Sequence, residues 1–433
     1  MGARDTALSA LIACRTQGAW ADGAIKQYTA RDRLDAREAA LASRLLYSVV
    51  QNRMLLDFYI SSFLKGKLKD LQPVVLDILR LGAAQILLFN KVPDSAAVNE
   101  AVNQGKKLAN PRAASLINGV LRNLSRQKES LPEPPDLSTK YSSPRELTEL
   151  LCHCVGEEML ESLLQSHNEA PAMTVQVNTL RTTVPALQEL LREQGISAEL
   201  HPWCPECLVI RGSGSLEQLA AFREGLFYVQ DPAARMAAMA ADLKPGMRVL
   251  DCCSAPGGKS FAAAIAMENR GEITSCDLHA HKIRLIEKGA KRLGITILSA
   301  MQQDGSKPNE EWIGAFDRVI CDVPCSGLGV IRKKPDIRYK DIGQISGLPA
   351  VQLRILSNQA AYVKAGGALL YSTCTIVPEE NGAVVDAFLR EHPEFHREPM
   401  NLPILKGNEG DATLLPCIHG TDGFYLCLLR KNA

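Results

Sequence analysis

The C-terminal half of the chain alternates apolar segments with amphipathic ones, and this alternation limits the folds available to it. From residue 231 onward the apolar segments read MRVLDCC, EITSCDL, ITILSAMQQD, FDRVICDV and GALLYSTC, most of them followed by a loop and a helical pattern. Strands that alternate with helices build a parallel, doubly wound sheet. Two more apolar segments flank the turn HGTDG and predict antiparallel edge strands. The sequence therefore predicts a seven-stranded α/β domain over 231–433.

Residues that could react or bind a ligand lie at the ends of these predicted strands. Four strands end in an aspartate, and two thiols follow the last strands: Asp251, Asp277, Asp304, Asp322, Cys325 and Cys374. Ligands of such sheets bind beyond the carboxyl ends of the strands. One strand-end aspartate is more often a helix N-cap than a ligand, but four in succession favour a binding cleft. Cysteines within the strands are expected to be core residues: Cys252, Cys253, Cys276 and Cys321.

The loop after the first predicted strand is rich in glycine and opens a helix. It reads Ser254-Ala255-Pro256-Gly257-Gly258-Lys259. Backbone N–H groups at a helix start favour a negative group, and glycine allows its close approach. The loop matches neither GxGxxG nor GxxxxGK[ST], which weakens dinucleotide and ATP interpretations. Asp277 ends the next strand, where a carboxylate can accept hydrogen bonds from ribose hydroxyls.

Charge and periodicity set the N-terminal part of the chain apart. Residues 1 to 130 contain 19 Lys and Arg against 11 Asp and Glu, whereas the rest of the chain is acidic. Apolar residues recur at helical spacing in LASRLLYSVVQNRMLLDFYISSFL, PVVLDILRLGAAQILLF and SLINGVLRNLSR. We therefore predict an all-helical bundle over 1–130. Its positive charge indicates contact with a polyanion such as RNA, although scattered surface lysines are an alternative interpretation.

Between these parts the sequence predicts a linker and a small domain. Residues 131–144 are rich in proline and serine, as linkers are. Residues 145–230 alternate helices with short strands, which predicts a small α+β domain. Cys204 and Cys207 form a single CxxC pair near His201, but a zinc site needs four ligands and no second pair has suitable spacing. We therefore predict no metal.

Hydropathy and cysteine content indicate the cellular compartment of the protein. No apolar stretch reaches the roughly 18 residues of a membrane span, and the start of the sequence lacks the apolar core of a signal peptide. The odd total of 13 cysteines, two of them adjacent, does not resemble a disulfide framework. We expect a cytoplasmic protein that does not bind a membrane, with a monomer as the simplest assembly.

Two sets of motifs resemble known families. The N-terminal bundle is similar to NusB-like RNA-binding domains in LRLGAAQILLF, VPDSAAVNEAVNQGKK and INGVLRNLSR. The C-terminal domain resembles the RNA 5-methylcytosine methyltransferases that use S-adenosylmethionine, in LDCCSAPGGKS, DVPCSGLGVIRKKPDIRY and YSTCT. The bundle in front of such a domain resembles the bacterial members that act on 16S ribosomal RNA. Most relatives have Ala at Ser254 and Ser at Thr375, and neither departure removes a reacting group.

The resemblance implies a Rossmann-like class I methyltransferase domain and roles for individual residues. Cys374 is implied to be the nucleophile, Cys325 to assist product release and Asp322 to contact the cytosine. The implied S-adenosylmethionine pocket has Asp277 on the ribose and Asp304 at the adenine, and comprises Cys253, Ser254, Ala255, Pro256, Gly257, Gly258, Lys259, Asp277, Asp304 and Asp322. The implied RNA path is lined by Arg332, Lys333, Lys334 and Asp336, although a solvated basic loop is an alternative interpretation.

The proposed chemistry explains the need for thiols. Cytosine C5 is too weak a nucleophile to take a methyl group unaided, whereas a thiolate that adds at C6 makes C5 nucleophilic. A free thiol of pKa about 8.5 is only roughly 3% thiolate at neutral pH, so the site must lower that pKa or supply a base. Two alternatives remain: the same chemistry on tRNA or another rRNA site, and a non-catalytic RNA-binding or antitermination factor.

Overall fold

The computed structural model describes residues 2–405 and 407–433. The chain forms two compact units. The first unit comprises Met1–Glu169 and Ile331–Lys340, and the second unit comprises Ala170–Val330 and Asp341–Ala433. Each unit has its own hydrophobic core. In the described residues, no helix is both long and apolar enough to cross a membrane.

The first unit is helical, as its periodicity predicts. Side-chain caps explain where several helices begin, since Asp35 accepts from the Glu38 N–H and Asn110 from the Ala113 N–H. The buried faces of these helices build one core, which includes Leu45, Ile78 and Ile117. Its described helices are α1 (Ala3–Gln17), α2 (Ala21–Arg31), α3 (Ala36–Gln51), α4 (Arg53–Ser62), α5 (Pro73–Leu88), α6 (Asp94–Leu108), α7 (Pro111–Arg126), α8 (Leu137–Lys140), α9 (Arg145–Val155) and α10 (Glu157–Asn168).

The boundary of the first unit differs from the one that composition predicts. The predicted linker 131–144 contains α8, whose start is capped by the Asp136 carboxylate accepting from the Thr139 N–H. Helices α9 and α10, which the sequence assigns to the small domain, belong to the first unit. The difference has a physical cause, because Leu151, Leu163 and other apolar side chains of both helices are buried. A proline-rich composition alone does not reveal that burial.

The segment Ile331–Lys340 also belongs to the first unit, although the sequence places it in the C-terminal domain. Arg338 is its anchor: the buried guanidinium donates to the carbonyls of Gln51, Tyr141, Ser142 and His167 and to Asn168 Oδ1. Burial lowers the pKa of Arg338 to about 10. Carbonyls at helix C-termini carry partial negative charge, which offsets the cost of burying this cation.

The second unit begins with a small antiparallel sheet of strand order β2-β3-β1-β4. Its core is formed by alternate residues of the strands, including Val175, Leu208 and Phe227. The elements are β1 (Met173–Val177), α11 (Val184–Glu193), β2 (Ser197–Leu200), β3 (Cys207–Arg211), α12 (Ala220–Arg223) and β4 (Phe227–Val229). This arrangement agrees with the prediction of a small α+β domain.

A large mixed sheet of eight described strands follows, in the order β10-β12-β9-β8-β5-β6-β7, with β11 paired to β12. Strands β5 to β9 are parallel, and β10, β11 and β12 are antiparallel to their partners. They are β5 (Arg248–Asp251), β6 (Glu272–Asp277), β7 (Leu298–Gln302), β8 (Phe316–Asp322), β9 (Val363–Thr373), β10 (Phe395–Arg397), β11 (Asp411–Leu414) and β12 (Phe424–Lys431). The doubly wound prediction is confirmed. The additional strand is β10, whose three residues are too few to show periodicity.

Helices flank the large sheet and bury its apolar strands. They are α13 (Pro232–Ala240), α14 (Gly258–Ala266), α15 (Ala280–Leu293), α16 (Leu348–Ala360), α17 (Gly382–Glu391) and α18 (Pro416–His419). Central strands such as β8 are apolar on both sides, since Val319, Ile320 and Cys321 are all buried. Polar side chains therefore collect where the strands end.

Candidate active site

The two thiols that follow neighbouring strands lie against each other. Strands β8 and β9 pair in parallel with Asp322 opposite Ser372, so the loops that follow them leave the sheet side by side. Cys325 Sγ lies 3.2 Å from Cys374 Sγ. Both side chains are half-buried. The sequence-predicted cysteines are thus brought together at the carboxyl edge of the sheet.

The two thiols have opposite acidities. The hydrogen bond shared with Cys325, in which either sulfur can donate, lowers the pKa of Cys374, and the positive charge of Lys259 acts in the same direction. The pKa of Cys325 is raised well above the ordinary value by its bond to Cys374, by burial and by nearby negative charge. A thiolate is the nucleophilic form of cysteine. The pair therefore favours a thiolate on Cys374 and a thiol on Cys325.

Asp322 is held on both of its oxygens beside this pair. Lys259 Nζ donates to Asp322 Oδ2 at 2.6 Å, and Ser372 Oγ donates to Oδ1 at 2.8 Å. Lys259 is buried in the first turn of α14. Burial alone lowers the pKa of Lys259, but the Asp322 carboxylate outweighs this effect and the pKa is raised. The site therefore contains a cation whose charge faces a thiol.

A cavity of about 160 Å³ opens next to Lys259, between the glycine-rich loop and the carboxyl end of β5. Gly257 precedes α14 with φ 109°, a conformation that favours glycine. The cavity is lined by Val229, Gln230, Ala234, Asp251, Cys253, Ser254, Ala255, Pro256, Gly258, Lys259 and Asp322. Most of the loop residues predicted to bind the cofactor thus line one cavity, as does Asp322.

The hydrogen bonding of Asp251 indicates which ligand groups this cavity can bind. The carboxylate is fully buried, with Oδ2 accepting from Ser260 Oγ at 2.6 Å and Oδ1 without a partner among the described residues. Burial raises the pKa of Asp251 to about 7. A buried carboxylate oxygen is costly unless a donor or cation pairs with it. The cavity therefore fits a ligand with a positive group, and the N-terminus of α14 offers N–H groups to a negative one.

Asp277, at the end of β6, and Asp304, after β7, accept hydrogen bonds from residues of their own loops. Asp277 Oδ1 accepts from the His279 N–H at 3.0 Å, and Lys282 Nζ lies 3.5 Å away. Asp304 Oδ1 accepts from both the N–H and Oγ of Ser306, which lowers the pKa of Asp304. Neither residue lines the cavity. Their predicted contacts with ribose and adenine stay predictions.

The predicted RNA-binding residues lie in the segment of the first unit that Arg338 anchors. Lys334 is exposed, whereas Arg332 and Lys333 are half-buried and have partners. Asp336 accepts from the Ala21 N–H at 3.2 Å, at the start of α2, and burial raises its pKa. Asp336 thus makes an internal contact in the first unit, which its position in a basic loop does not predict.

Several site residues carry no motif of their own. Val229 and Gln230 line the cavity from the end of the small sheet, and nothing in their sequence sets them apart from other strand residues. The buried Cys204 and Cys207 also remain outside the site, with the Cys207 N–H donating to the Cys204 carbonyl. No group of three potential metal ligands occurs among residues 2–405 and 407–433.

Three family models match the chain in succession. Residues 1–126 match the NusB family, and residues 144–217 match the ferredoxin-like domain of RsmF/B-like methyltransferases. Residues 238–430 match the 16S rRNA methyltransferase RsmB/F family. The order of these matches is the order of the helical unit, the small sheet and the large sheet.

Full-length relatives and solved structures agree with these matches. The chain is 36% identical to the probable ribosomal RNA small subunit methyltransferase B of Bacillus subtilis, over 99% of this chain and 98% of that protein. It is 30% identical to ribosomal RNA small subunit methyltransferase B of Klebsiella pneumoniae, over 93% and 92% of the two chains. The crystal structure of PH0851 superposes with a TM-score of 0.82, 28% identity and 98% coverage of both chains.

A smaller structural neighbour covers only part of the chain. A methyltransferase homolog from Pyrococcus horikoshii has a TM-score of 0.60 and 25% identity, and covers 69% of this chain and all of its own. Full-length identity above 30%, the three domain matches and the shared fold point to one conclusion. The chain belongs to the RsmB/F family of ribosomal RNA small subunit methyltransferases.

Proposed function

We propose that this protein methylates C5 of a cytidine in 16S ribosomal RNA, using S-adenosylmethionine and a covalent bond between Cys374 and cytosine C6. The observation that carries the proposal is the contact between two thiols, with Cys325 Sγ 3.2 Å from Cys374 Sγ, in a site that also holds Lys259 and Asp322. A methyltransferase acting on a more nucleophilic atom would need no such pair. The names of the relatives, ribosomal RNA small subunit methyltransferase B, support the choice of RNA.

The cavity lined by the glycine-rich loop fits the proposed cofactor. S-adenosylmethionine, when bound, supplies an electrophilic methyl group on a sulfonium centre. The partnerless oxygen of Asp251 would pair with its ammonium group, and the N–H groups at the start of α14 would face its carboxylate. Asp322 lines this cavity and accepts a hydrogen bond from Ser372 of β9, two residues before Cys374.

The thiols would act in sequence. The Cys374 thiolate bonds to C6 of the cytosine, which places an electron pair on C5 for the bond to the methyl carbon. Lys259 would stabilise the negative charge that develops on the ring, and Asp322 would hold the polar edge of the base. A base then takes the C5 proton, the C5–H electron pair re-forms the C5–C6 double bond, and Cys374 leaves C6 as a thiolate. Cys325, the neighbouring sulfur, would assist this release.

A basic groove in the second unit gives the RNA backbone a place to bind. It has a volume of about 770 Å³, and five cations and one acid line it together with apolar side chains: Arg181, Arg223, Lys288, Lys291, Arg292, Glu217, Phe222 and Leu285. Arg223, Lys288 and Lys291 have no carboxylate partner among the described residues of this unit. Unpaired cations along a groove attract phosphates. The groove therefore supports a polyanionic substrate.

Methyl transfer from labelled S-adenosylmethionine to 16S rRNA, tRNA and DNA tests the proposal. We expect 16S rRNA to be labelled on C5 of cytosine by the wild type, and Cys374→Ala to be inactive. Cys325→Ala should accumulate a protein–RNA complex that survives denaturing electrophoresis. Cys417→Ala, a half-buried thiol elsewhere in the same unit, is the matched control and should retain activity.

The outcomes separate the alternatives. Labelling of tRNA in preference to rRNA would reject 16S rRNA as the substrate and would leave the proposed C5 methylation chemistry intact. Methylation of rRNA at a position other than cytosine C5 would reject the proposed site of methylation. Binding of rRNA without any methyl transfer would favour the non-catalytic RNA-binding interpretation.

A further inference from the structure

The loops that carry the two thiols are tied together beneath the sulfur atoms. Ser326, the residue after Cys325, donates from Oγ to Oγ1 of Thr375, the residue after Cys374, at 2.8 Å. The Cys374 carbonyl accepts from the Gly329 N–H at 3.0 Å. These bonds join the loop after β8 to the loop after β9, so the sulfur atoms are held by a shared network.

Glu380 lies at the centre of this network. It is fully buried at the end of the short helix Pro378–Glu380. Its Oε2 accepts from the Ser326 N–H at 2.8 Å and from Gln352 Nε2 at 2.9 Å. Gln352 Nε2 also donates to the Pro324 carbonyl at 3.0 Å. One carboxylate thus fixes the residues on both sides of Cys325.

The charge of Glu380 is not needed for these hydrogen bonds. A glutamine could accept the same two bonds through its amide oxygen. The other carboxylate oxygen, Oε1, has no partner among the described residues, and no Lys, Arg or His there forms an ion pair with Glu380. A buried carboxylate without a cation is costly. The two hydrogen bonds alone therefore do not account for a carboxyl group at this position.

The charges around the thiols are distributed unevenly. Lys259 acts on Cys374 and lowers its pKa, whereas Glu380 acts on Cys325 and raises its pKa. Asp322 raises the pKa of both thiols, and Asp422 raises that of Cys374. Of these groups, Lys259 and Glu380 thus favour the same distribution: a negative sulfur at Cys374 and a protonated one at Cys325.

We propose that Glu380 is a positioning residue that holds the Cys325 loop against Cys374 and keeps the shared proton on Cys325, so that Cys374 is the sulfur that attacks. The proton stays on Cys325 because a negative charge there would be repelled by the buried Glu380 carboxylate, which accepts from the N–H of the next residue, Ser326. This inference rests on the proposed function for the attack itself. The assignment of the proton does not depend on it.

Thiol alkylation tests the proton assignment without any methyl transfer. The protein is treated with limiting iodoacetamide at pH 7, and the Cys374 and Cys325 peptides are quantified by mass spectrometry. We expect the wild type to be alkylated mainly on Cys374. In Glu380→Gln the ratio of Cys374 to Cys325 alkylation should fall about tenfold, the effect of one pKa unit. Asp411→Asn, the same isosteric change beside Arg397, should keep the wild-type ratio.

Turnover and a wild-type pH series complete the test. We expect Glu380→Gln to lower kcat about tenfold with an unchanged KM for RNA. An unchanged alkylation ratio would overturn the proposal even if turnover fell, and normal alkylation with no C5 methylation would reject only the proposed function. If Glu380→Gln does not fold, the wild-type pH series decides: Cys325 must react only at higher pH than Cys374, and equal reactivity contradicts the proposal.

Discussion

The carboxyl edge of the large sheet has two sides that look alike in sequence and differ in structure. On the β5–β8–β9 side, Asp251 and Asp322 line one cavity, and the two half-buried thiols lie against each other. On the β6–β7 side, Asp277 ends β6 and Asp304 follows β7, but each accepts a hydrogen bond from the residue two positions further on. On the β6–β7 side one oxygen of each aspartate is thus engaged by the loop that follows it, whereas Asp251 keeps an oxygen without a partner among the described residues.

This contrast has an electrostatic basis. On the β5–β8–β9 side, Asp251 has an oxygen with no partner in the described structure, and the buried Lys259 is paired to the half-buried Asp322. Charges act strongly there because little solvent screens them. Lys282 and Lys307, which lie near the acids of the β6–β7 side, are more exposed. Substitutions should therefore have large effects on the first side and small effects on the second.

The largest expected effect is that of Cys374→Ser. Loss of a nucleophile commonly lowers turnover by about 10⁴-fold or more. We expect a loss of this size in methylation of 16S rRNA, whereas Asp277→Asn on the other side should stay within about tenfold. Single-turnover methyl transfer at saturating RNA measures both. Similar losses in the two variants would break the contrast between the sides.

Lys259→Met should have the next largest effect. Removing a preorganised charge from a buried site costs about 10² to 10³ in rate. Because Lys259 lowers the pKa of Cys374, its loss raises that pKa. Less thiolate is then present at pH 7, and the rising limb of the pH–rate profile moves to higher pH. Lys282→Met, which removes the partner of Asp277, should leave the profile in place.

Asp251→Asn should weaken binding of S-adenosylmethionine by about 10- to 100-fold, since a charged hydrogen bond contributes about 1.5–3 kcal/mol. The pKa of Asp251 is raised to about 7, so its negative charge is lost as the pH falls below that value. Wild-type affinity should therefore rise between pH 6 and pH 8, and the variant should show a flatter dependence. Isothermal titration measures both. Asp304→Asn, on the β6–β7 side, is the matched variant and should change the affinity for S-adenosylmethionine less.

The smallest effect is expected at the basic groove, which lies away from the reacting atoms. The triple variant of Arg223, Lys288 and Lys291 to alanine should raise KM for RNA several-fold with unchanged kcat. Each lost phosphate contact should also reduce, by about one, the slope of the logarithm of the binding constant against the logarithm of the salt concentration. A control triple of exposed cations elsewhere in the second unit, Lys244, Arg270 and Arg390, carries the same charge change. Equal effects of both triples would reject the groove.

The alternation of apolar segments was enough to predict the parallel strands and which residues follow them. Strand ends are visible in sequence because a buried strand is a run of apolar residues, and the first polar residue marks where it leaves the sheet. Asp251, Asp322, Cys325 and Cys374 were predicted at one edge for that reason. The glycine-rich loop was visible because it needs Gly257 at a positive φ.

The remaining features depend on contacts between distant residues. Arg338 belongs to the first unit through carbonyls that lie between about 170 and 287 residues away in sequence. The burial of α9 and α10 depends likewise on their packing rather than on their composition. Glu380 reads as one of two adjacent glutamates, and only its burial separates it from Glu379. No local pattern carries this information.

The central claim is that Cys374, and not Cys325, bonds to the base. The direct measurement uses 16S rRNA with 5-fluorocytidine at its cytidine positions, since fluorine at C5 cannot leave as a proton and the adduct persists. After digestion, mass spectrometry identifies the cysteine peptide that carries the nucleotide. We predict an adduct on Cys374 in both the wild type and Cys325→Ala. An adduct on Cys325 in the wild type would contradict this assignment.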